Sequence, residues 1–260
     1  MNKLCLFYSS TLSNKIIYYN FIKKNPNFFN EVIEFPLIQN DKSIIFKKIF
    51  SSGFKFVFFQ FIINYYYKFF NYLLGKKIST LCHEHNIKYS YFTNLNSELL
   101  KKLKKDKYDL IFNGQTSIIK RNIFNSLKTK FINCHCAPLP NFRGVANYIW
   151  LLLNNSKCYS TLHFVDDTID GGKIIDFSKK ISINKFNSVF SLWLKMRILG
   201  MQCIKKNKNN FLNNKKILTI KIKKISTIRS FPKANEIKKL KVPFFKLSDL
   251  IFILLEPFKK

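Results

Sequence analysis

Short apolar runs alternate with helix-forming stretches over the first half of the chain, and that alternation decides the fold class. Leu4–Tyr8 ends in Ser9-Ser-Thr, which reads as a buried strand turning into a helix. Ser13 or Asn14 is expected to cap that helix, which would carry Ile16, Ile17 and Phe21 inward and stop at Asn25-Pro26. Val32–Pro36 is a second strand, closed by its proline. Ile87–Phe92, Tyr108–Asn113 and Lys130–Asn133 read as three more. Asn96 opens a helix with Leu99, Leu100 and Leu103 on one face, and Ile118–Leu127 separates the last two strands. Strands interleaved with helices predict an α/β, doubly wound, mostly parallel sheet. Ligands of such sheets lie beyond the carboxyl ends of the strands, where Asn113-Gly114 and Asn133-Cys-His135 fall.

Two segments fit that frame less well. Phe54–Leu74 is crowded with Phe, Tyr and Ile, but Lys55, Gln60, Asn64, Lys68 and Asn71 interrupt it. A charge near a bilayer centre costs about 2.5–3.5 kcal/mol, so a membrane span is not expected. One or two inserted helices are, packed on the domain or lying on a membrane surface with lysines snorkelling. Phe244–Lys260 is similarly apolar with basic punctuation. Lys205–Lys216 reads as a polar loop, and Ile217–Ile225 alternates in part like a strand. The expected organisation is a catalytic domain over 1–210, with an apolar helical insertion at 46–80, and a short C-terminal extension over 211–260.

The formal charge of +31 invites a nucleic-acid reading. Only Arg121, Arg143, Arg197 and Arg229 are arginines, so 45 − 4 leaves 41 lysines. Arginine supplies bidentate and stacking contacts to nucleic acid, whereas lysine is mainly a hydrated point charge. Nucleic acid is therefore disfavoured as a partner. The six cysteines are scattered, and Met1-Asn-Lys leads into a strand without a secretory pattern, so a reducing cytoplasm is expected. Cys82-His-Glu-His85 and Cys134-His-Cys136 lack the spacing of structural zinc modules, and no metal is expected.

The chemistry is concentrated in Phe131–Gly144 and Thr161–Ile175. Asn133 and His135 are two apart on an extended segment, so their side chains point the same way. Asp170 follows from a glycine-flanked loop. An amide, an imidazole and a carboxylate around one cavity can move a proton and stabilise an oxyanion. The plainer alternatives are a strand-end pair satisfied by backbone and an ordinary Asp-Gly turn.

The ordered set Asn133-x-His135, Pro138-Leu-Pro, Arg143-Gly144, Thr161-x-His163-x-Val-Asp and Ile169-Asp170-x-Gly172 resembles the folate-dependent formyltransferases. That family includes glycinamide ribonucleotide, methionyl-tRNA and sugar-nucleotide N-formyltransferases. The resemblance covers residues 80–180 and, loosely, the first strand. It implies a Rossmann-like sheet, 10-formyltetrahydrofolate as co-substrate, and formyl transfer to a primary amine by Asn133, His135 and Asp170. It places the folate against two backbone stretches, Gly114, Gln115, Thr116, Ser117, Ile118 and Ile119, and Val165, Asp166 and Asp167. Arg143 would meet an acceptor phosphate or pair at the surface. His163 would line the acceptor site or be a satisfied core histidine.

The turn Ser9–Asn14 lacks the glycines of the purine-pathway enzyme, which weakens a ribonucleotide acceptor, and the 50 residues after Asn210 are too few for the tRNA enzyme's extra barrel. A small-molecule amine, first an amino-sugar nucleotide, is left as the expected acceptor. A homodimer and a peripheral contact with the inner membrane stay open. A non-catalytic membrane-surface or RNA-binding relative is the competing class.

Overall fold

The computed structural model describes residues 1–36, 49–75, 77–114, 119, 123, 126–213, 217–220 and 226–256. Its centre is a seven-stranded sheet. The strands are β1 (Leu4–Tyr8), β2 (Glu31–Glu34), β3 (Lys88–Tyr91), β4 (Leu110–Asn113), β5 (Lys130–His135), β7 (Thr161–Val165) and β8 (Ile174–Phe177), in the order β3-β2-β1-β4-β5-β7-β8. The first five pair in parallel, and β5-β7 and β7-β8 pair antiparallel. A separate two-residue ladder joins β6 (Arg143–Gly144) to β9 (Ile228–Arg229).

Burial on both faces explains the continuous apolar runs. Along β1, Leu4, Leu6 and Tyr8 enter one core and Cys5 and Phe7 the other. The first core is covered by α1 (12–24), by α2 (54–73) and by α6 (Val189–Lys206). The second is covered by α4 (Ser97–Asp106), whose Leu99 and Leu103 are buried while its lysines face out. Asn96 caps α4, accepting the Leu99 N–H at 2.9 Å. Further helices among the described residues are α3 (Ile78–Glu84), α5 (Asn147–Leu153), α7 (Lys208–Leu212), α8 (Ala234–Ile237) and α9 (Leu247–Leu255).

Two expectations change. The cap of α1 is Thr11, not Ser13 or Asn14. Thr11 still has extended backbone and accepts the Asn14 N–H at 3.1 Å, while Ser13 and Asn14 already lie inside the helix. Asn14 instead donates to the Ser9 and Gly114 carbonyls, tying the first turn to the end of β4.

Of Lys205–Lys216, 205–212 is helical rather than a loop, with a turn at Asn207, and 214–216 lies outside the described residues. Phe211 is fully buried with its ring 5.2 Å from that of Phe112, and Asn207 donates to Asp176 at 2.7 Å. These two anchors outweigh the polar composition around them. Of Ile217–Ile225, only 217–220 is described, and there Ile220 makes a single antiparallel bridge to Ile174.

The inserted segment is one continuous helix, α2, whose middle turn, Ile62–Tyr66, is π-helical. Phe56, Phe59, Ile63 and Tyr67 face the core. Among the described residues, no helix is long and apolar enough to cross a membrane.

Candidate active site

The site forms where the parallel part of the sheet meets the antiparallel hairpin. Strand alternation puts Phe131, Asn133 and His135 of β5 on one face and Ile132 and Cys134 on the other. Cys134 and Cys136 therefore enter the core, away from His135. The β5-β7 register pairs Asn133 with His163 and His135 with Thr161, so His163 stands beside Asn133 on the site face.

His135 is buried at the end of β5. Its Nε2 is 2.7 Å from the Phe142 carbonyl oxygen, which only accepts, so Nε2 carries a proton and donates it. Its Nδ1 faces Asp170 Oδ1 at 3.5 Å. Nδ1 is thus the atom at which this imidazole can take up a proton, with a carboxylate beside it. Asn147, at the start of α5, packs its amide nitrogen 3.1 Å from His135 Nε2 and donates to the Gly144 carbonyl at 2.8 Å.

Asp170 sits in the turn between β7 and β8 with a left-handed φ of 50°. Its Oδ2 accepts the Gly144 N–H at 2.8 Å, and its Oδ1 is 3.9 Å from His163 Nε2. The turn depends on Gly172, where a Cβ would lie 1.9 Å from the Phe164 carbonyl oxygen. His163 is 1% exposed and donates from Nδ1 to the Phe164 carbonyl at 2.7 Å. Burial, aided by the neighbouring His135 and opposed by Asp170, lowers the His163 pKa to about 4. The neutral ring then directs an Nε2 lone pair at the site. Among the described residues, that Nε2 and Asn133 Oδ1 are buried atoms without a hydrogen-bond partner.

The structure thus brings Asn133, His135, His163 and Asp170 together. Arg143 is not turned toward them. It is buried, donating from Nε to the Ile169 carbonyl at 2.7 Å and from Nη1 to the Ser226 carbonyl at 2.9 Å. It pins the Asp170 turn to the chain beside β9.

Gly114 follows β4, one strand from Asn133, and its carbonyl accepts from Asn14. Gln115, Thr116, Ser117 and Ile118 lie outside the described residues. Ile119 is buried in the second core, and Val165 packs against it. Asp166 is exposed and accepts from Thr168 N and Oγ1. Asn147, the Phe142 carbonyl and the Gly144 N–H belong to the site and were missed by sequence reasoning. Backbone groups leave no signal in residue types, and no motif spacing singles out Asn147.

The sequence profile of the formyl transferase family matches residues 72–204. That is just over half of the 260 residues. The chain belongs to the formyl transferase family.

Over 89 residues, 34% of this chain, it is 32% identical to a methionyl-tRNA formyltransferase of Flavobacterium psychrophilum, spanning 28% of that protein's length. A second methionyl-tRNA formyltransferase, from Thermodesulfovibrio yellowstonii, is 33% identical over 88 residues, again 34% of this chain and 28% of the relative. Among solved structures, an N-formyltransferase from Helicobacter canadensis superposes with a TM-score of 0.58 at 22% identity, covering 99% of this chain and 81% of the other. This likeness establishes the formyltransferase fold.

Proposed function

We propose that the chain is an N-formyltransferase that moves the formyl group of 10-formyltetrahydrofolate to the primary amine of a small acceptor, first an amino-sugar nucleotide. The carrying observation is the convergence of His135 Nδ1 and His163 Nε2 on Asp170 Oδ1, beside Asn133. A buried polar atom without a partner costs about 1–3 kcal/mol. Asn133 Oδ1 and His163 Nε2 are two such atoms, and the N–H groups of an incoming amine are the complementary donors.

Attack of the neutral amine on the formyl carbon makes an oxyanion and a cationic nitrogen. The C–N bond to the acceptor forms, the proton on that nitrogen leaves, and the bond to the folate nitrogen breaks as a proton arrives there. In this reading His135 Nδ1 takes and returns that proton, and the Asp170 carboxylate, 3.5 Å away, stabilises the imidazolium. The Asn133 amide N–H is the donor for the oxyanion, where loss of one such donor costs about 3–4 kcal/mol of barrier.

The acceptor is argued from the company the fold keeps. The Helicobacter canadensis enzyme was solved with folinic acid and dTDP-3-aminofucose, and a second sugar N-formyltransferase of this fold with dTDP and 5-N-formyltetrahydrofolate. The first turn bonds within itself and to Gly114 through Asn14, which disfavours it as a cradle for a ribonucleotide phosphate.

The test is formyl transfer from 10-formyltetrahydrofolate to amino-sugar nucleotides, glycinamide ribonucleotide and methionyl-tRNA. Asn133→Ala, His135→Ala and Asp170→Ala should each lower turnover about a hundredfold, and their combination should be strongly non-additive. A His135→Ala protein that kept the parent rate would defeat the mechanism. Methionyl-tRNA as the best acceptor would defeat the substrate assignment alone.

A further inference from the structure

Helix α2 carries aromatic and aliphatic residues on opposite sides, with Lys55, Gln60, Asn64, Lys68 and Asn71 between them, and the apolar sides of such a helix are ordinarily enclosed. Here only one side is. Phe56, Phe59 and Ile63 are buried, while on the opposite side Phe54 is 81% exposed, Phe61 54% and Phe69 59%. Helix α9 repeats the pattern, with Ile253 buried and Leu247, Ile251 and Leu254 exposed.

The two helices lie side by side. Phe58 and Phe59 touch Phe245 just before α9, with ring centroids 6.3 and 5.2 Å apart, and Glu256 at its far end is within electrostatic reach of Tyr67. Among the described residues, both helices thus leave several large apolar side chains exposed on their outer faces, more than the singly scattered ones of an ordinary monomer. Lys55, Lys68, Lys77 and Lys246 are exposed on and beside them. The Lys77 ammonium lies 4.4 Å from the Tyr72 ring centre.

Charge decides the occupant. With a formal charge of +31, a second copy of the chain is repelled at close approach, whereas an anionic lipid surface is attracted. We infer that the paired outer faces of α2 and α9 dock this protein on the surface of an anionic phospholipid bilayer. The rings and leucines enter the interface and the lysines meet the headgroups, without any helix crossing.

The test is cosedimentation of the full chain with vesicles of phosphatidylcholine containing about a third phosphatidylglycerol, against pure phosphatidylcholine, at about 0.1 M salt. The triple variant F61S/F69S/L254S changes only exposed positions, and its fold is verified by circular dichroism. The parent should favour anionic vesicles by at least about tenfold, lose that preference in high salt, and bind at least about tenfold more weakly as the variant. Equal partition to both vesicles, or binding unchanged by the variant, overturns the inference. Sedimentation equilibrium showing a parent dimer that the variant dissociates also overturns it, and assigns the face to a second copy.

Discussion

The buried neutral state of His163 makes stability depend on pH in a way that one substitution should remove. In the unfolded chain the ring titrates near 6.5, and in the fold near 4. The folded pKa is the lower of the two, so between these values the unfolded chain binds a proton that the folded chain refuses. Stability is therefore full above about pH 7 and falls as pH drops through 6.5 toward 4. The whole difference, 2.5 pKa units, corresponds to about 3 kcal/mol, and the part lost between pH 7.5 and pH 5 is about 2 kcal/mol.

His163→Asn keeps an amide N–H where Nδ1 donates to the Phe164 carbonyl and removes the titration. Urea unfolding of both proteins across that range should give a steeper acid-side decline for the parent, by about 2 kcal/mol at pH 5. Carboxylates away from the site contribute equally to both curves, so their difference reports His163 together with the Asp170 and His135 it faces. Parallel curves would refute the reasoning, since they would mean that His163 titrates alike in both states.

Three further outcomes follow from the geometry. Gly172→Ala forces a methyl group onto the Phe164 carbonyl; it should destabilise by about 2–4 kcal/mol and, by displacing Asp170, depress turnover more than acceptor affinity, as kinetics and thermal melting would report. Lys102→Met should cost about 3 kcal/mol in urea titrations, because it takes the closest cation from Glu31, 1% exposed, and leaves it Ser90, Tyr108 and the more exposed Lys88 at 3.4 Å. Although burial opposes it, Lys102 and Lys88 hold the neighbouring Asp106 down at about 2. The stability Asp106 contributes is present above pH 4 and lost as pH falls toward 2, and the variant should lose much of that dependence. Saturation with 5-formyltetrahydrofolate at about a hundred times its Kd should stabilise the folded chain by about 2.7 kcal/mol, seen as a rise in melting temperature, and no shift would remove folate as donor.

The inner strands of the parallel half were legible because burial on both faces demands nearly continuous apolar residues, as in Leu4–Phe7 and Leu110–Phe112. The helix after Asn96 was legible from its cap and its leucine spacing. Lys205–Leu212 was not, since polar composition conceals two residues, Asn207 and Phe211, whose partners lie far away in sequence. The π-helical turns, Lys15–Tyr19 of α1 and Ile62–Tyr66 of α2, carry no residue signature either.

At the site, sequence spacing identified side chains that share a face, and chemistry assigned them roles. It could not read what the backbone does with the remaining ones. Arg143 illustrates the limit. An arginine next to a glycine near a reactive loop suggests an anion, yet a buried guanidinium must find acceptors in fixed positions, and two carbonyls supply them. With the β6-β9 ladder adjoining it, where Gly144 has a φ of 95° and leaves no room for a Cβ against the Arg229 carbonyl, that clamp fixes the Gly144 N–H on Asp170. The carboxylate that faces both histidines is therefore held by chain on either side of the Arg143-Gly144 pair. In the proposed mechanism, residues outside the Asn133, His135 and Asp170 set thus fix the geometry on which proton transfer would depend.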